Sequence, residues 1–201
     1  MTMINTRILH PVESLILSKI PDFVKERARD IELVVFDVDG VLTDGSLYYS
    51  ANGESQTRFH ALDGHGMKML IQSGIQVAMM TGRQSEITNR RAAELGIPHL
   101  LQNVRNKRQA LTELCQELNI ELNQVAFIGD DLIDLAVMQR VGLALSVPNA
   151  PIDIQQAAHW VSQLAGGQGG AREHCDMILA SQGLLGPLLS HDSPIQGKVI
   201  Q

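Results

Sequence analysis

The stretch Leu33-Val34-Val35-Phe36-Asp37-Val38-Asp39-Gly40-Val41-Leu42-Thr43-Asp44-Gly45 decides the fold. Its first four residues are all apolar, which is how a strand buried on both faces of a parallel sheet reads. Asp37 and Asp39 follow at the point where glycines and aspartates break the strand. Two carboxylates this close repel unless a cation, a shared proton or hydrogen-bond donors hold them. A chemical site at the strand end accounts for the pair better than solubility does.

Outward from this strand the elements alternate. Residues 46–50 and 56–60 flank Ala51-Asn52-Gly53-Glu54-Ser55, a β-hairpin signal built around Asn-Gly. Asp63 is placed to cap a helix through residue 70, Gly74 to stop it, and residues 75–80 read as the next strand. A helix over 84–95 ends at Gly96, and a short strand covers residues 99–101. Asn106 then caps a helix with Leu111, Leu114 and Leu118 at helical spacing. Residues 125–128 form another strand, Gly129-Asp130-Asp131 a turn and 132–140 a helix. The alternation predicts an α/β fold: a doubly wound, mostly parallel sheet with helices on both faces and a hairpin beside it. No internal repeat is present.

With 201 residues, 44% hydrophobic and 19% charged, the chain suits one well-buried domain. That domain is expected over 26–187, with an N-terminal extension at 1–25 and a tail at 188–201, both reading as poorly ordered ends. A formal charge of −6 argues against a nucleic-acid binder, which needs basic faces against phosphates. Cys115 and Cys175 are too few for a disulfide framework, fit a reducing compartment, and read as packing residues. Arg7, His10, Glu13 and Lys19 interrupt the first twenty residues, so they do not read as a signal peptide. No apolar run approaches the roughly 20 residues of a membrane helix. The expectation is a cytoplasmic chain with neither nucleic-acid nor membrane partners.

In a sheet of this kind the functional loops gather at the carboxyl ends of the strands. Three strands here end in polar clusters: Asp37 with Asp39, Thr81-Gly82-Arg83, and Gly129-Asp130-Asp131 with Asp134, while Lys107 opens a helix between the last two. Together they bring several carboxylates, a hydroxyl and a lysine to one rim. A calcium loop does not fit, because counting from Asp37 the sixth position is Leu42 and the twelfth Tyr48, where glycine and glutamate are required. His60, His65 and His99 are not at metal-ligand spacing. They read as structural or surface residues, with His60 the one to watch.

From residue 31 to 149 this order resembles the haloacid dehalogenase-like phosphatases, which have a Rossmann-like sheet. Asp37-Val38-Asp39-Gly40-Val41 matches their first motif, Met80-Thr81-Gly82 the second, Lys107 the third, and Gly129-Asp130-Asp131-Leu132-Ile133-Asp134 the fourth. The resemblance implies that Asp37 attacks phosphorus and forms an aspartyl-phosphate, while Asp39 protonates the leaving oxygen and later helps deprotonate water. It implies Mg²⁺ held by the Asp37 side chain, the Asp39 main-chain carbonyl and Asp130, because a carboxylate and a phosphate dianion repel without it. Thr81 and Lys107 would bind phosphoryl oxygens, with Asp131 and Asp134 orienting the lysine and metal waters. An acid at 39 favours phosphate-ester hydrolysis, since relatives using the same nucleophile for other chemistry lack it.

Spacing carries the resemblance further. One hairpin and one helix separate Asp39 from Thr81, and one helix and strand separate Thr81 from Lys107, which leaves no room for a cap domain. An open site exposes its intermediate to water, so neighbouring subunits are expected to wall it, with the 46–60 hairpin as the assembly element. Asp39-Gly40-Val41-Leu42-Thr43-Asp44-Gly45, the segment 58–68, Thr81-Gly82-Arg83 with Arg91, and the glycine-rich 166–173 are similar to the capless 3-deoxy-D-manno-octulosonate 8-phosphate phosphatases over residues 31–185. That family implies a homotetramer with active sites at subunit interfaces, acting on a sugar acid phosphate in lipopolysaccharide precursor synthesis. It implies substrate contacts from Asp39, His60, Ala61, Leu62, Asp63, Gly64, Lys68, Thr81, Arg83, Arg91, Lys107 and Asp131. Arg83 and Arg91 would suit the substrate's carboxylate. Gly170 stands where the family has alanine, with Arg172 kept in register. Gly166 to Arg172 thus reads as a mobile segment that carries Arg172 to an active site, or blandly as a linker. Two alternatives stay open: a phosphatase of a related nine-carbon sugar acid, and a non-catalytic oligomerisation domain, which is weakened because every catalytic position is filled.

Overall fold

The computed structural model describes residues 9–189. In chain order its elements are α1 (Pro11–Leu17), α2 (Asp22–Arg29), β1 (Leu33–Asp37), β2 (Tyr48–Ser50), β3 (Gly53–Gln56), α3 (Ala61–Gln72), β4 (Gln76–Met80), α4 (Glu86–Leu95) and β5 (His99–Leu101). They continue as α5 (Lys107–Leu118), β6 (Val125–Ile128), α6 (Leu132–Met138), β7 (Leu143–Ser146), α7 (Ile152–Ala157), β8 (Trp160–Val161), α8 (Gly170–Gln182) and α9 (Leu185–Leu189).

The main sheet runs β5-β4-β1-β6-β7-β8 and every ladder in it is parallel. Strand β1 is central and Leu33, Val34, Val35 and Phe36 are all fully buried. Alternate side chains explain why the run is uniformly apolar. Val34 and Phe36 pack with α2, α3, α4 and α8, while Leu33 and Val35 pack with α5, α6 and α7 on the opposite face. Each such side chain contributes about 1.5–3 kcal/mol by leaving water. The chain moves one way from β1 to β4 and β5, then returns past β1 to β6, β7 and β8. The reversal point therefore lies between β1 and β6, where open α/β sheets bind their ligands.

Local signals set many boundaries. Asn106 accepts from Gln109 N at 3.1 Å and starts α5, and Ser85 accepts from Thr88 N at 3.2 Å and starts α4. Gly96, with φ +69°, ends α4 in the left-handed region. The hairpin pairs Tyr48 with Gln56, Tyr49 with Glu54 and Ser50 with Gly53. It starts its second strand three residues earlier than the sequence suggests and forms a separate two-stranded sheet.

Three expectations are corrected. Within the described part of the first 25 residues the chain is not an unordered end: α1 and part of α2 form there, and both pack on α8. Glu13 is buried and accepts from His10 N at 2.9 Å and Gly186 N at 2.8 Å, which fastens α1 to α9. Asp63 does not cap α3, whose N-cap position is His60. Gly166 to Arg172 is not a mobile tail: Gly166 N donates to Asn149 Oδ1 at 2.8 Å, Gly167 N to Val41 O at 3.0 Å, and Gly170 opens the 13-residue α8. The tail at 188–201 lies outside the described residues from 190 onward. No helix among the described residues is long and apolar enough to cross a membrane.

Candidate active site

Asp37 is the last residue of β1, and the chain must turn sharply behind it. Gly40 makes the turn at φ +92°, and a Cβ there would lie 1.9 Å from Asp130 Oδ2, so the close approach of the two loops requires glycine. Thr43 Oγ1 closes the loop by accepting from Gly40 N and Gly45 N, each at 3.1 Å. Asn149 pins it from outside, its Nδ2 donating to Gly40 O at 3.1 Å.

Lys107, the first residue of α5, sends its ammonium under the strand ends. It donates to Asp37 Oδ1 in a short bond and to Asp134 Oδ1 at 2.6 Å, all three side chains being buried. Asp134 Oδ2 accepts from Asp130 N at 3.1 Å and Asp131 N at 3.3 Å, so both of its oxygens are engaged. Burial pushes the Asp37 carboxyl well above its usual range, against the pull of Lys107, and the nearby Asp134 and Asp130 charges add to the rise. Asp130 is pushed up to about 7 by burial and by Asp134 and Asp131. Burial works to lower the Lys107 ammonium, but Asp37 and Asp134 outweigh it and hold the charge.

Asp37, Asp130 and Asp134 each offer a carboxylate oxygen within 4.8 Å of the others. An all-oxygen set with excess negative charge is what a hard divalent cation such as Mg²⁺ takes. With Asp134 committed to Lys107 and two backbone amides, Asp37 and Asp130 are the side chains that fit an ion.

A second cluster lies farther out. Asp39 accepts from Arg83 Nη1 at 2.9 Å and Thr81 Oγ1 at 3.4 Å. Arg83 N donates to Thr81 Oγ1 at 3.1 Å, and Arg83 Nη2 donates to Glu54 Oε1 at 2.9 Å. Burial opposes the charge on Arg83, but Asp39 outweighs it and raises the guanidinium above its ordinary value, with Tyr49 and Glu54 adding to the effect.

The remaining candidates divide. Ala61 and Leu62 are exposed at the start of α3, with His60 half-buried before them and its Nδ1 without a partner among the described residues. Arg91 lies 5.8 Å from the Phe59 ring centroid and so close over Gly64 that a Cβ there would meet Nη2 at 2.3 Å. Lys68 is half-buried on α3, near enough to His65 to act on its titration. Asp131 is the N-cap of α6 and accepts from Leu132 N at 2.7 Å. Asp63 and Arg172 are brought together, but with each other. The buried Asp63 carboxylate accepts from Arg172 N at 2.8 Å and Gly169 N at 3.3 Å, capping α8, while Arg172 Nε holds Asp176 at 2.7 Å. The Asp63 carboxylate is thereby engaged by the start of α8, while the Arg172 side chain is held through Nε.

Sequence reading missed several residues that build the rim. Ser146 Oγ donates to Gly129 O at 2.7 Å beside Asp130, and His174 Nε2 is 3.0 Å from Ser146 O. A serine closing the apolar run of β7 was the available signal. Glu54 carried none beyond its place in the hairpin.

Residues 99–170 match the model of the haloacid dehalogenase-like hydrolases. The chain is 43% identical over 159 residues to the 3-deoxy-D-manno-octulosonate 8-phosphate phosphatase KdsC of Escherichia coli K12, covering 79% of this chain and 85% of that protein. The chain belongs to this phosphatase family. Among solved family members, the Moraxella catarrhalis enzyme in complex with magnesium, phosphate and a KDO molecule superposes with a TM-score of 0.77 at 41% identity, covering 79% of this chain and 91% of that one. The cobalt-bound Haemophilus influenzae enzyme superposes at 0.79 and 41% identity, covering 82% and 95%. The family membership and the all-parallel sheet with its hairpin and no cap among the described residues agree with the fold expected from the motifs.

Proposed function

We propose that this chain is a Mg²⁺-dependent phosphatase that hydrolyses 3-deoxy-D-manno-octulosonate 8-phosphate to the free sugar acid and phosphate, in the cytoplasm, for lipopolysaccharide precursor synthesis. The observation that carries the reading is the convergence of Asp37, Lys107, Asp130 and Asp134 at the reversal point of the sheet, with Asp39 held beyond them by Arg83 and Thr81.

Asp37 and Asp130, with the Asp39 main-chain carbonyl, would hold the ion. Its charge offsets the repulsion between carboxylate and phosphate dianion. A carboxylate oxygen of Asp37 attacks phosphorus as the sugar oxygen departs, and Asp39 gives that oxygen its proton. Asp39 then takes a proton from the water that attacks the aspartyl-phosphate, which releases phosphate and restores Asp37. Lys107 and Thr81 bear on the phosphoryl oxygens. Arg83 and Arg91 suit the sugar acid's carboxylate, a second anion that a simple sugar phosphate lacks.

The walls of the site would come from other subunits of a homotetramer. Tyr49, 64% exposed on the hairpin, and Leu132 and Ile133, 61% and 62% exposed beside the aspartates, give the rim an apolar surface that an isolated chain leaves in water.

The test is phosphate release from a panel of sugar phosphates and sugar acid phosphates, with Mg²⁺ or EDTA, in wild type and Asp37→Asn. The expected result is a Mg²⁺-dependent preference for the octulosonate ester that Asp37→Asn abolishes, a loss of at least about 10³-fold. Preference for a nine-carbon acid would keep the chemistry and change the substrate. Hydrolysis of none of them would leave a non-catalytic oligomerisation domain.

A further inference from the structure

The β2–β3 hairpin pairs with no strand of the main sheet among the described residues, and its side chains are exposed except one. That one is Glu54, and three donors converge on it. Its Oε1 accepts from Arg83 Nη2 at 2.9 Å and Thr57 Oγ1 at 3.4 Å, and its Oε2 accepts a short bond from Ser85 Oγ. We propose that Glu54 is a positioning residue of this site, the hairpin carboxylate that aims Arg83 at Asp39 and fixes the start of α4. The proposal rests on reading Asp39 as the acid and base of the reaction.

The geometry of arginine gives the reason. A guanidinium is a planar fork, so anchoring both terminal nitrogens fixes its plane as well as its position. Arg83 has Nη2 on Glu54 and Nη1 on Asp39, each at 2.9 Å. Without Glu54 the fork keeps one anchor at the end of a long stem and swings about it. The orientation of Asp39 then depends on Thr81 Oγ1 at 3.4 Å, the longer of its two contacts. Ser85 transmits the second effect. The hydroxyl that donates to Glu54 also accepts from Thr88 N at 3.2 Å as the cap of α4, the helix that carries Arg91. One hairpin carboxylate thus reaches the turn after β4 directly and the second arginine through a helix start.

A surface ion pair that merely tethers the hairpin would leave Asp39 unaffected, and this separates the two readings. Glu54→Gln keeps the shape and removes the charge, and p-nitrophenyl phosphate serves as a substrate with no second anion. Glu54→Gln is expected to lower kcat on it between about tenfold and 100-fold, as small misplacements of reacting groups do, with KM changed less than about threefold. In an Arg83→Ala background the same substitution should lower kcat by less than about twofold further, because its route is already cut. Additive losses overturn the proposal, as does an unchanged kcat in the single variant. Hydrogen exchange of the 82–88 amides gives a readout independent of turnover. It should speed up about tenfold or more in Glu54→Gln, and an unchanged rate overturns the proposal. If wild type cleaves no phosphate ester while exchange rises, the hydrolytic reading fails and the positioning of Arg83 and α4 by Glu54 stands.

Discussion

Lys107 and Arg83 each bridge two carboxylates, yet the side chains of the first bridge are 0–6% exposed and those of the second 18–30%. The difference follows from where the cations start. Lys107 is at the buried start of α5 and points under the sheet, whereas Arg83 stands on a turn at the rim. For the inner set, removing the lysine strands two carboxylates away from water, so the arrangement is fixed. For the outer set, partial exposure lowers what each pair contributes to global stability, so its bonds set local geometry more than they hold the fold together. One site therefore holds a buried half on which the fold depends and a partly exposed half whose bonds orient side chains at the rim.

Substituting the inner cation should give the largest effect. Lys107→Met leaves Asp37 and Asp134 facing each other unpaired, and is expected to lose about 3–5 kcal/mol in urea unfolding along with all phosphate release. Wild-type stability in that variant would erase the contrast between the halves. An intermediate effect comes from His174, buried behind Ser146 and edge-on to Trp160 at 5.0 Å. Burial holds its pKa down to about 3 against an ordinary 6.5, so the unfolded chain takes up the proton first as pH falls. Stability is full above pH 6.5 and drains away toward pH 3, with about 2 kcal/mol lost between pH 7 and 5. His174→Gln should flatten that slope in unfolding curves measured at both pH values. The smallest effect belongs to the outer set: Glu54→Gln should change global unfolding by less than about 1 kcal/mol. A larger loss would mean that the outer bridge is as structural as the inner one.

Much of this was legible in the sequence, for reasons the structure makes plain. The run Leu33 to Phe36 is buried on both faces and leaves no room for a polar residue, so its composition announces its place. Asn106 and Gly96 act within a few residues of themselves, and a local reading finds them. What escaped acts across the chain. Asp63 reads as a local cap for α3, but its partners are Gly169 and Arg172, more than a hundred positions away. The glycines at 166 and 167 read as flexibility and prove to be closeness: a Cβ on Gly166 would lie 1.8 Å from Gly40 O. Helix α1 has seven residues and a proline at its start, too short to show a period, and the capping box of His10 and Glu13 was its signal. Glu54 was missed because a charge in a hairpin looks solvated until its partners are known.

The register of β1 has a consequence for how the molecule comes into being. Leu33 lies beside Gln76 on one side and Val125 on the other, so the strand that ends in Asp37 has neither neighbour when it is first made. The Gly40 loop waits longer still, for Gly166 and Gly167 to arrive. At ribosomal speeds of about 5–20 residues per second, on the order of ten seconds separate the synthesis of Asp37 from that of its last supports. A nascent chain carries both aspartates throughout that interval before the residues that brace their loop have been made.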